Sequence, residues 1–384
     1  MIYLDNAATS YPKPPAVITA MQNYLENVGA SPGRSGHQLA AAAGRILFQT
    51  RKAVTQLLGL TDPGRIIFTQ NATAALNLAL FGLLRSGDRV LTSGLEHNAV
   101  MRPLRRLEEL HSITIDTLPG NETSHYDLKI LAQWCEQRKY RMAIINHASN
   151  VSGSLAPLSA ILPILREHSI ISVIDGAQSA GVRPLDLRAL DPDIFCFTGH
   201  KSLYGPPGTG GLYLREGIAP EPLLYGGTGS RSEEEYQPDF LPDKYESGTP
   251  NTSGLAGLKA GLEFIRQKGL PNIIEHENEL AASLRDGLAT IPGLKLHEAR
   301  PEEEQLAVIS LTIKDLSPSE IGHRLDREFA IMTRVGLHCA PRAHQSIGTF
   351  PQGTVRLAPG YFNQIAEMTE VVRALAIIAG GHRD

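Results

Sequence analysis

A lysine follows an apolar run in the middle of the sequence, in the segment IFCFTGHK at 194–201. The run predicts a strand, and in an open α/β sheet the residues that follow a strand lie at the ligand-binding edge. Lys201 then stands beside apolar strand ends and next to His200, and these surroundings disfavour its charged form. A neutral lysine amine can condense with an aldehyde as a Schiff base. An ordinary exposed loop lysine is the alternative.

An aldehyde cofactor that uses such a lysine is pyridoxal phosphate (PLP), which also needs an anion for its ring nitrogen and a group over its ring. Asp175 directly follows the apolar run ISVI and could supply the anion, and Gln178 comes three residues later. His97, in LTSGLEHNAV, could lie across a planar ring or carry a proton. A helix cap at Asp175 and a structural role for His97 are the alternatives.

A phosphate would need several hydrogen-bond donors at the same edge of the sheet. The strand at 65–69 runs into TQNATAALNLAL, so the free N–H groups of a helix N-terminus are expected around Asn71, Ala72 and Thr73. Thr198 and His200, from the strand end before Lys201, could converge on the same oxygens. Plain helix capping is the alternative for this segment.

The loop RVGLHCAPRAH at 334–344 surrounds a cysteine with polar and basic residues. Because cationic neighbours and solvent favour a thiolate, His338, Arg342 and His344 lead us to predict that Cys339 is reactive. An incidental surface thiol is the alternative. Arg356, in TVRLAPGYFN, could bind a substrate carboxylate through two parallel hydrogen bonds. The other cysteines lie in patterns typical of packed, inert thiols, namely Cys135 and Cys196.

Apolar runs alternate with amphipathic segments along most of the chain, a pattern that predicts βα units and a mainly parallel sheet. The fold class is therefore α/β. The predicted strands of this sheet are 65–69, 89–92, 113–118, 142–146, 170–174, 194–197 and 211–214, with helices at 73–84 and 127–136.

A turn-rich stretch at 220–251 predicts a boundary between two domains. Downstream, the patterns predict helices at 253–267, 274–290 and 365–378 and strands at 306–313 and 354–357. We therefore expect an N-terminal segment at 1–15 that packs near the small domain, a large cofactor-binding domain at 16–250 and a small α+β domain at 251–384.

Composition excludes several other classes of protein. The 384 residues carry 36 Lys and Arg against 40 Asp and Glu, so a net charge of −4 argues against nucleic acid as a partner. Three scattered cysteines without CxxC spacing predict neither a disulfide framework nor a metal site, and they suit a reducing cytoplasm. The N-terminus has no signal pattern, and no segment has the length and apolarity of a membrane span.

The ordered motifs of the chain resemble those of a known family, the class V, fold-type I PLP enzymes, and within it the cysteine desulfurases. The motifs are YLDNAATSYP (3–12), EHNA (96–99), SNVSG (149–153), DGAQSAG (175–181), TGHKSLYGPPGTGGLY (198–213), ESGTPN (246–251) and RVGLHCA (334–340). The last motif is similar to that of the branch with a short cysteine loop, which also contains selenocysteine lyases. The resemblance implies a fold-type I transferase with a seven-stranded, mainly parallel sheet.

The resemblance also implies roles around the cofactor. Lys201 would bind the PLP aldehyde, Asp175 would pair with the ring nitrogen and Gln178 would bind the ring hydroxyl. His97 would stack on the ring. The phosphate would be bound by residues from both subunits of a homodimer, namely Thr73, Thr198 and His200 of one and Thr249 of the other. Ala72 stands where relatives have a hydroxyl residue, which removes one contact to the phosphate.

On the substrate side, the resemblance implies that Asn150 and Arg356 bind the carboxylate of L-cysteine. Arg34 and His37, in ASPGRSGH, would lie in its vicinity. The hypothesis is then that Lys201 moves the α-proton, that Cys339 takes the sulfur as a persulfide, and that alanine is released. A thiol or an acceptor protein would remove the sulfur. The segment after Cys339 departs from the family pattern, so the acceptor is left open.

Four other functions compete with this hypothesis. A selenocysteine lyase would use the same site, and a protein that keeps PLP without catalysis would serve in sulfur relay. GPPGTGG at 205–211 suggests a nucleotide site, but it lacks the Lys-Ser/Thr ending of a Walker motif. The G-x-S-x-G pattern at 29–33 suggests a serine hydrolase, but a helical pattern precedes it where a nucleophile elbow needs a strand.

Overall fold

The computed structural model describes residues 1–33, 35–119, 126–297 and 305–381 of the chain. Its strands are β1 (Ile2–Tyr3), β2 (Ile66–Thr69), β3 (Arg89–Ser93), β4 (Thr114–Leu118), β5 (Met142–Asn146), β6 (Ile171–Asp175), β7 (Ile194–Thr198), β8 (Gly210–Leu214), β9 (Leu294–Leu296), β10 (Ile309–Ile313), β11 (Ile331–Met332), β12 (Arg334–Gly336) and β13 (Thr354–Leu357).

Helices connect most of these strands, as the alternating pattern predicts. They are α1 (Pro15–Asn27), α2 (Gln38–Leu57), α3 (Ala72–Leu83), α4 (Asn98–His111), α5 (Leu128–Gln137), α6 (Leu158–Glu167), α7 (Leu187–Leu190), α8 (Thr252–Lys268), α9 (Leu270–Leu288), α10 (Pro318–Phe329), α11 (Pro341–Ser346) and α12 (Ile365–Gly380).

Seven of the described strands form one sheet in the order β2-β8-β7-β6-β5-β3-β4. Strand β8 is antiparallel to both of its neighbours, and the other pairs are parallel. This arrangement confirms the predicted α/β fold with a mainly parallel seven-stranded sheet. Ligands of such sheets bind beyond the carboxyl ends of the parallel strands.

The central strands are buried on both faces because helices cover the sheet on each side. In β7, Phe195 and Phe197 pack into one apolar cluster and Cys196 packs into another on the opposite face, and all three are completely buried. Burial of each phenylalanine contributes about 1.5–3 kcal/mol. The ends of β6 and β7 are therefore held on a rigid base, and the polar residues that follow them inherit fixed positions.

The second region of the chain builds a smaller sheet, β12-β13-β10-β9, with α9, α10 and α12 packed around it. Strand β1 pairs with β11, and Leu4 is buried in the same apolar cluster as these helices. The domain limits stay a prediction. Helix α8, which follows the predicted boundary at residue 250, buries Leu255 and Leu258 in the apolar cluster of the larger sheet.

The strand predicted at 306–313 is shorter in the structure, where β10 begins at Ile309. The residues before it bond to a loop of the larger domain instead: Leu306 N donates to Gly153 O, and Gln305 bridges to Ser154. Apolar character alone does not show whether these residues pair with the small sheet or with the loop at 153–154.

Candidate active site

A cavity of about 210 Å³ opens at the carboxyl edge of the seven-stranded sheet, beside the N-termini of α3 and α4. It brings together most of the residues that the sequence singles out for chemistry. Its lining consists of Ala7, Ala8, Asn71, Ala72, Thr73, His97, Ala99, Asn146, Asn150, Asp175, Ala177, Gln178, Thr198, His200, Lys201 and Arg334.

Lys201 lies in the cavity wall directly after the turn that follows β7. Its carbonyl oxygen accepts a hydrogen bond of 2.8 Å from Ser10 Oγ, so the N-terminal segment fixes its backbone. Burial lowers the pKa of Lys201 to about 8; Arg356 and Arg334 lower it further, whereas Asp175 opposes the shift. About a tenth of Lys201 is therefore the neutral, nucleophilic amine at pH 7, far more than for an ordinary lysine.

Asp175 ends β6 and is almost completely buried. Its Oδ1 accepts a hydrogen bond of 3.0 Å from Ala177 N. Burial raises its pKa, and the attraction of Lys201 works in the opposite direction. Within the described ranges no cation forms an ion pair with this carboxylate. A buried anion without a cation is costly, so the site is suited to a ligand that brings positive charge to this point.

The N-terminus of α3 forms an anion cradle on one side of the cavity. Asn71 caps the helix by accepting from Ala74 N at 2.9 Å, which leaves the first N–H groups, on Ala72 and Thr73, without intrahelical acceptors. Thr198 Oγ1 is buried nearby and has no hydrogen-bond partner in the described part of the chain. Gly210, at the start of β8, lets the N-terminus of α3 lie close to the sheet. A Cβ at residue 210 would lie only 2.7 Å from the Cα of Asn71.

Two imidazole rings of the cavity are neutral. His97 caps α4, and its Nδ1 accepts from Ala99 N at 3.0 Å, so its proton resides on Nε2. Burial lowers the pKa of His97 to about 4, and Lys201 lowers it further. Burial likewise lowers the pKa of His200 to about 4. These two rings therefore contribute no positive charge to the cavity near neutral pH.

The predicted carboxylate ligand Arg356 is completely buried and lies behind the cavity lining. One of its terminal nitrogens donates to Asn150 O at 3.0 Å and the other to Asp5 Oδ1 at 2.7 Å. Asn150 lines the cavity, and its Nδ2 donates to His338 O at 2.7 Å. Asp5 thus provides an internal anion for Arg356. Gln178, another lining residue, donates to Ala7 O at 2.9 Å.

Cys339 is the exposed one of the three cysteines, and Cys135 and Cys196 are buried as predicted. Its Sγ accepts a hydrogen bond of 3.2 Å from the guanidinium of Arg334, which lines the cavity. The thiol therefore has a cationic donor beside it, at the edge of the same site that holds Lys201. A neighbouring cation stabilises a thiolate.

The source of that positive charge differs from the prediction. His338 and His344 are buried, and burial lowers their pKa values to about 2 and about 4, so both rings are neutral. Arg342 points elsewhere and donates to Thr117 Oγ1 at 2.9 Å. Nearness in sequence to Cys339 does not bring these side chains to its sulfur, because the backbone turns at this loop.

Arg334 and Arg356 lie directly opposite each other on the antiparallel strands β12 and β13. Like charges in this position repel. The structure sets an anionic or polar acceptor beside each of them, Asp5 for Arg356 and the Cys339 sulfur for Arg334. The paired arginines make this end of the cavity favourable for a carboxylate or a thiolate.

Besides Arg356 and Cys339, two further predicted residues do not line the cavity, and one predicted residue cannot be described. Thr249 is exposed and does not line the cavity. His37 is exposed and caps α2, its Nδ1 accepting from Ala40 N at 3.3 Å. Arg34 falls outside the described residues.

Four residues with clear contacts at the site were assigned no role from the sequence, namely Asp5, Glu96, Asn146 and Arg334. Glu96 is completely buried, and its Oε1 accepts from Ser93 Oγ at 2.7 Å and from Asn146 N at 2.9 Å. Burial raises the pKa of Glu96 to about 8, and Asp175 raises it further. Three of the four lie within the family motifs, which is the signal that could have identified them.

The residues of the cavity fit PLP. Phosphate oxygens would satisfy Thr198 Oγ1 and the N–H groups at the start of α3, a protonated ring nitrogen would neutralise Asp175, and the Lys201 amine would meet the aldehyde. None of the helices in the described ranges is long and apolar enough to cross a membrane. The described residues also contain no group of three or more His, Cys, Asp or Glu that could hold a metal ion.

Fold and site together define a PLP-dependent enzyme of fold type I, as its structural neighbours are. The class-V aminotransferase profile matches residues 2–371, and the chain belongs to that family. A probable cysteine desulfurase from Pyrococcus abyssi is 31% identical, covering 96% of this chain and 92% of its own. A cysteine desulfurase from Escherichia coli is 32% identical, covering 88% and 84%.

Solved structures give the same result. The apo structure of a cysteine desulfurase from Thermococcus onnurineus superposes with a TM-score of 0.93 at 30% identity, covering 99% of this chain and 95% of that one. The Escherichia coli cysteine desulfurase CsdA superposes with a TM-score of 0.86 at 28% identity, covering 97% and 93%. The predicted family and fold are confirmed.

Proposed function

We propose that this protein is a PLP-dependent cysteine desulfurase, which converts L-cysteine to L-alanine and takes the sulfur onto Cys339 as a persulfide. The observation that carries the proposal is the shared site of two reactive groups. The amine of Lys201 lies in the cavity wall, and the exposed thiol of Cys339 accepts a hydrogen bond from Arg334 of the same cavity. The names of the relatives support the same reaction.

When bound, PLP supplies an aldehyde that reacts with amines and a ring that withdraws electrons from the substrate α-carbon. Ala72, Thr73, Thr198 and His200 would hold its phosphate, and Asp175 would keep its ring nitrogen protonated. Gln178 would bind the ring hydroxyl and the neutral ring of His97 would lie over the cofactor. Thr249 would reach the phosphate of a partner subunit, which requires a homodimer; its exposure in the single chain supports this.

Lys201 serves as the proton carrier of the reaction. With a pKa lowered to about 8, its Nζ can accept the substrate α-proton near neutral pH and later return a proton to carbon. Asn150 lines the cavity and binds the substrate carboxylate together with Arg356 behind it. For that contact Arg356 must share its guanidinium between Asp5 and the substrate.

Cys339 performs the sulfur transfer. Its thiolate, stabilised by Arg334, attacks the substrate sulfur, so an S–S bond forms as the substrate C–S bond breaks. The electron pair of that bond leaves with the three-carbon fragment, and protonation of this fragment gives alanine. The persulfide on Cys339 then passes its outer sulfur to a thiol or an acceptor protein. All three cysteines are free thiols, which supports a cytoplasmic location.

The experiment measures alanine and sulfide from L-cysteine, with and without a reducing thiol, and records the visible absorption of the purified protein. Cys339→Ser should keep the yellow cofactor and lose at least about a hundredfold in alanine formation, because the sulfur acceptor is gone. Cys135→Ser, which changes a buried thiol, is the matched control and should retain turnover.

Two outcomes would contradict the proposal. Unchanged alanine formation by Cys339→Ser would remove the persulfide step, and the absence of a pyridoxyl adduct on the Lys201 peptide after borohydride reduction would remove the cofactor. The same assays with L-selenocysteine distinguish a selenocysteine lyase, for which the serine variant would retain turnover of the selenium substrate.

A further inference from the structure

A chain of buried hydrogen bonds starts at the residue before Cys339 and crosses the small sheet. His338 Nε2 lies 3.0 Å from Thr354 Oγ1 on β13. Thr354 Oγ1 donates to Ser310 Oγ on β10 at 3.1 Å, and Ser310 Oγ donates to Val151 O at 2.7 Å. We name this the His338–Thr354–Ser310 chain. It joins the cysteine loop to the loop of the larger domain that also carries Asn150.

The proton positions in this chain follow from its far end. A carbonyl oxygen can only accept, so the single hydroxyl proton of Ser310 points to Val151 O. Ser310 Oγ therefore accepts the proton of Thr354, and Thr354 Oγ1 must in turn accept from His338 Nε2. Burial lowers the pKa of His338 to about 2. The ring therefore stays a neutral Nε2–H donor over the whole pH range in which thiols titrate.

The backbone of the cysteine loop is strained at this point. His338 and Cys339 both lie in the left-handed region, with φ values of 48° and 59°. Residues with side chains avoid that region unless their surroundings hold them there. The surroundings do so from both sides, because His338 O accepts from Asn150 Nδ2 at 2.7 Å and Cys339 O accepts from Asn98 N at 2.8 Å.

This conformation decides where the sulfur lies. With His338 directed inward and 2% exposed, the next side chain points outward, and Cys339 Sγ meets the Arg334 guanidinium at 3.2 Å. The other cations that face Cys339 are Lys201 and Arg356. A loop released from its buried anchor would let the thiol leave this cationic environment.

We propose that the His338–Thr354–Ser310 chain positions Cys339, holding its thiol against Arg334 in the form that accepts sulfur. His338 is then a positioning residue, which acts through Cys339 and touches no substrate. The sulfur-accepting step that it serves rests on the proposed function. The placement of the thiol itself does not depend on turnover.

The test is the alkylation of Cys339 by iodoacetamide between pH 5.5 and 9, followed by mass spectrometry of the Cys339 peptide. Thr354→Val keeps the shape of a buried side chain and removes its hydroxyl. Alkylation at pH 7 should slow by about three- to tenfold, because the released thiol loses its contact with the Arg334 guanidinium, which favours the reactive thiolate. Thr354→Ser restores a hydroxyl and should return the profile toward that of the wild type.

Two further variants keep the test decisive. Thr349→Val removes a similar buried bond, that of His344 Nδ1 at 2.7 Å, and leaves the chain intact, so its profile should match the wild type. Ser310→Ala breaks the chain one bond further from the loop and should shift the profile in the same direction as Thr354→Val. The proposal is overturned if Thr354→Val matches the wild type, or if both valine variants shift equally.

Turnover separates this inference from the proposed function. With L-cysteine, Thr354→Val should lower kcat while KM and the cofactor absorption stay unchanged, because only the sulfur step is slowed. If the wild type forms no alanine but Thr354→Val still shifts the alkylation profile, the proposed function fails and the positioning role stands. If the wild type forms alanine and the profile does not move, the positioning role alone fails.

Discussion

Glu96 is a buried acid next to the cavity whose protonation the structure makes testable. It is completely buried, and burial raises its pKa to about 8 from an ordinary value of 4.5. Between these values the unfolded chain releases a proton that the folded chain retains, so the free energy of unfolding must fall as the pH rises. Glu96→Gln cannot titrate. We expect it to gain on the order of 1–3 kcal/mol over the wild type between pH 5 and pH 8, measured by urea denaturation.

Glu109→Gln is the matched control, because Glu109 lies on the neighbouring helix α4 with an exposed side chain. Its unfolding curve should follow the pH dependence of the wild type. A Glu96→Gln protein whose stability runs parallel to the wild type from pH 5 to pH 8 would show that Glu96 is ionised in the folded state. Its two hydrogen-bond donors, Ser93 Oγ and Asn146 N, would then suffice to stabilise the charge.

The residues around Cys339 show what sequence adjacency leaves undetermined. Lys201, Asp175 and Thr198 follow apolar strands, and the sheet brings them to one edge as predicted. Arg334 is five positions before Cys339 yet donates to its sulfur, whereas the adjacent His338 faces the interior. The left-handed backbone at 338 and 339 sets these directions, and no residue type in the loop signals it.

At the scale of elements, helix α3 is predicted to contribute to cofactor binding through its N-terminus. Asn71 caps this helix by accepting from Ala74 N at 2.9 Å, and it lines the cavity. Asn71→Ala should lower the free energy of unfolding by about 1 kcal/mol. It should also weaken PLP binding several-fold, because the first turn that offers its N–H groups to the phosphate becomes less ordered. Absorbance titration with PLP measures the second effect.

Ser317→Ala provides the comparison, since Ser317 caps α10 by accepting from Glu320 N at 3.1 Å. That helix packs in the small domain, so the same loss of a cap should reduce stability by a similar amount and leave PLP binding unchanged. Equal PLP affinities of the two variants would contradict a role of the α3 terminus in holding the phosphate.

Long apolar strands were predictable and short ones were not. The strands β2 to β8 agree with the predicted runs within one or two residues, because most of them are apolar segments that helices cover. The exception is β4, a partly exposed edge strand with Asp116 in its middle. Strands β1, β9, β11 and β12 span two or three residues each, too few for a period to be visible. They form because long-range partners pair with them, as β11 does with β1.

At the scale of the whole molecule, the N-terminal segment connects the two sheets through the site. Tyr3 pairs with the small domain, Asp5 binds Arg356 across 351 positions of sequence, and Ser10 bonds to the backbone of Lys201. The packing of residues 1–15 near the small domain stays a prediction about domain organisation. The contact between Asp5 and Arg356 could not be predicted, since only the folded chain brings these charges together.

The buried titratable groups together predict a stability maximum near pH 6.5. Burial lowers the pKa of six histidines, to about 2 for His338 and about 4 for His97, His147, His200, His297 and His344. Below pH 6.5 the unfolded chain binds protons at these histidines, whereas the folded protein does not. The free energy of unfolding therefore falls as the pH falls. Burial raises the pKa of Asp175 and of three glutamates, to about 7 for Glu246 and about 8 for Glu96 and Glu277.

These acids act in the opposite direction: their own contribution to the free energy of unfolding falls as the pH rises above about 4.5. Below about pH 6.5 the six histidines outweigh the four acids. At pH 6.5 half of the unfolded rings have already lost their proton, so the histidine contribution fades by about pH 7.5, whereas that of the acids continues to about pH 8. Urea midpoints measured every half unit from pH 5 to pH 8 should therefore rise and then decline. A midpoint that changes in one direction over the whole range would contradict these protonation states, and the same series on Glu96→Gln should show a flatter decline above pH 6.5.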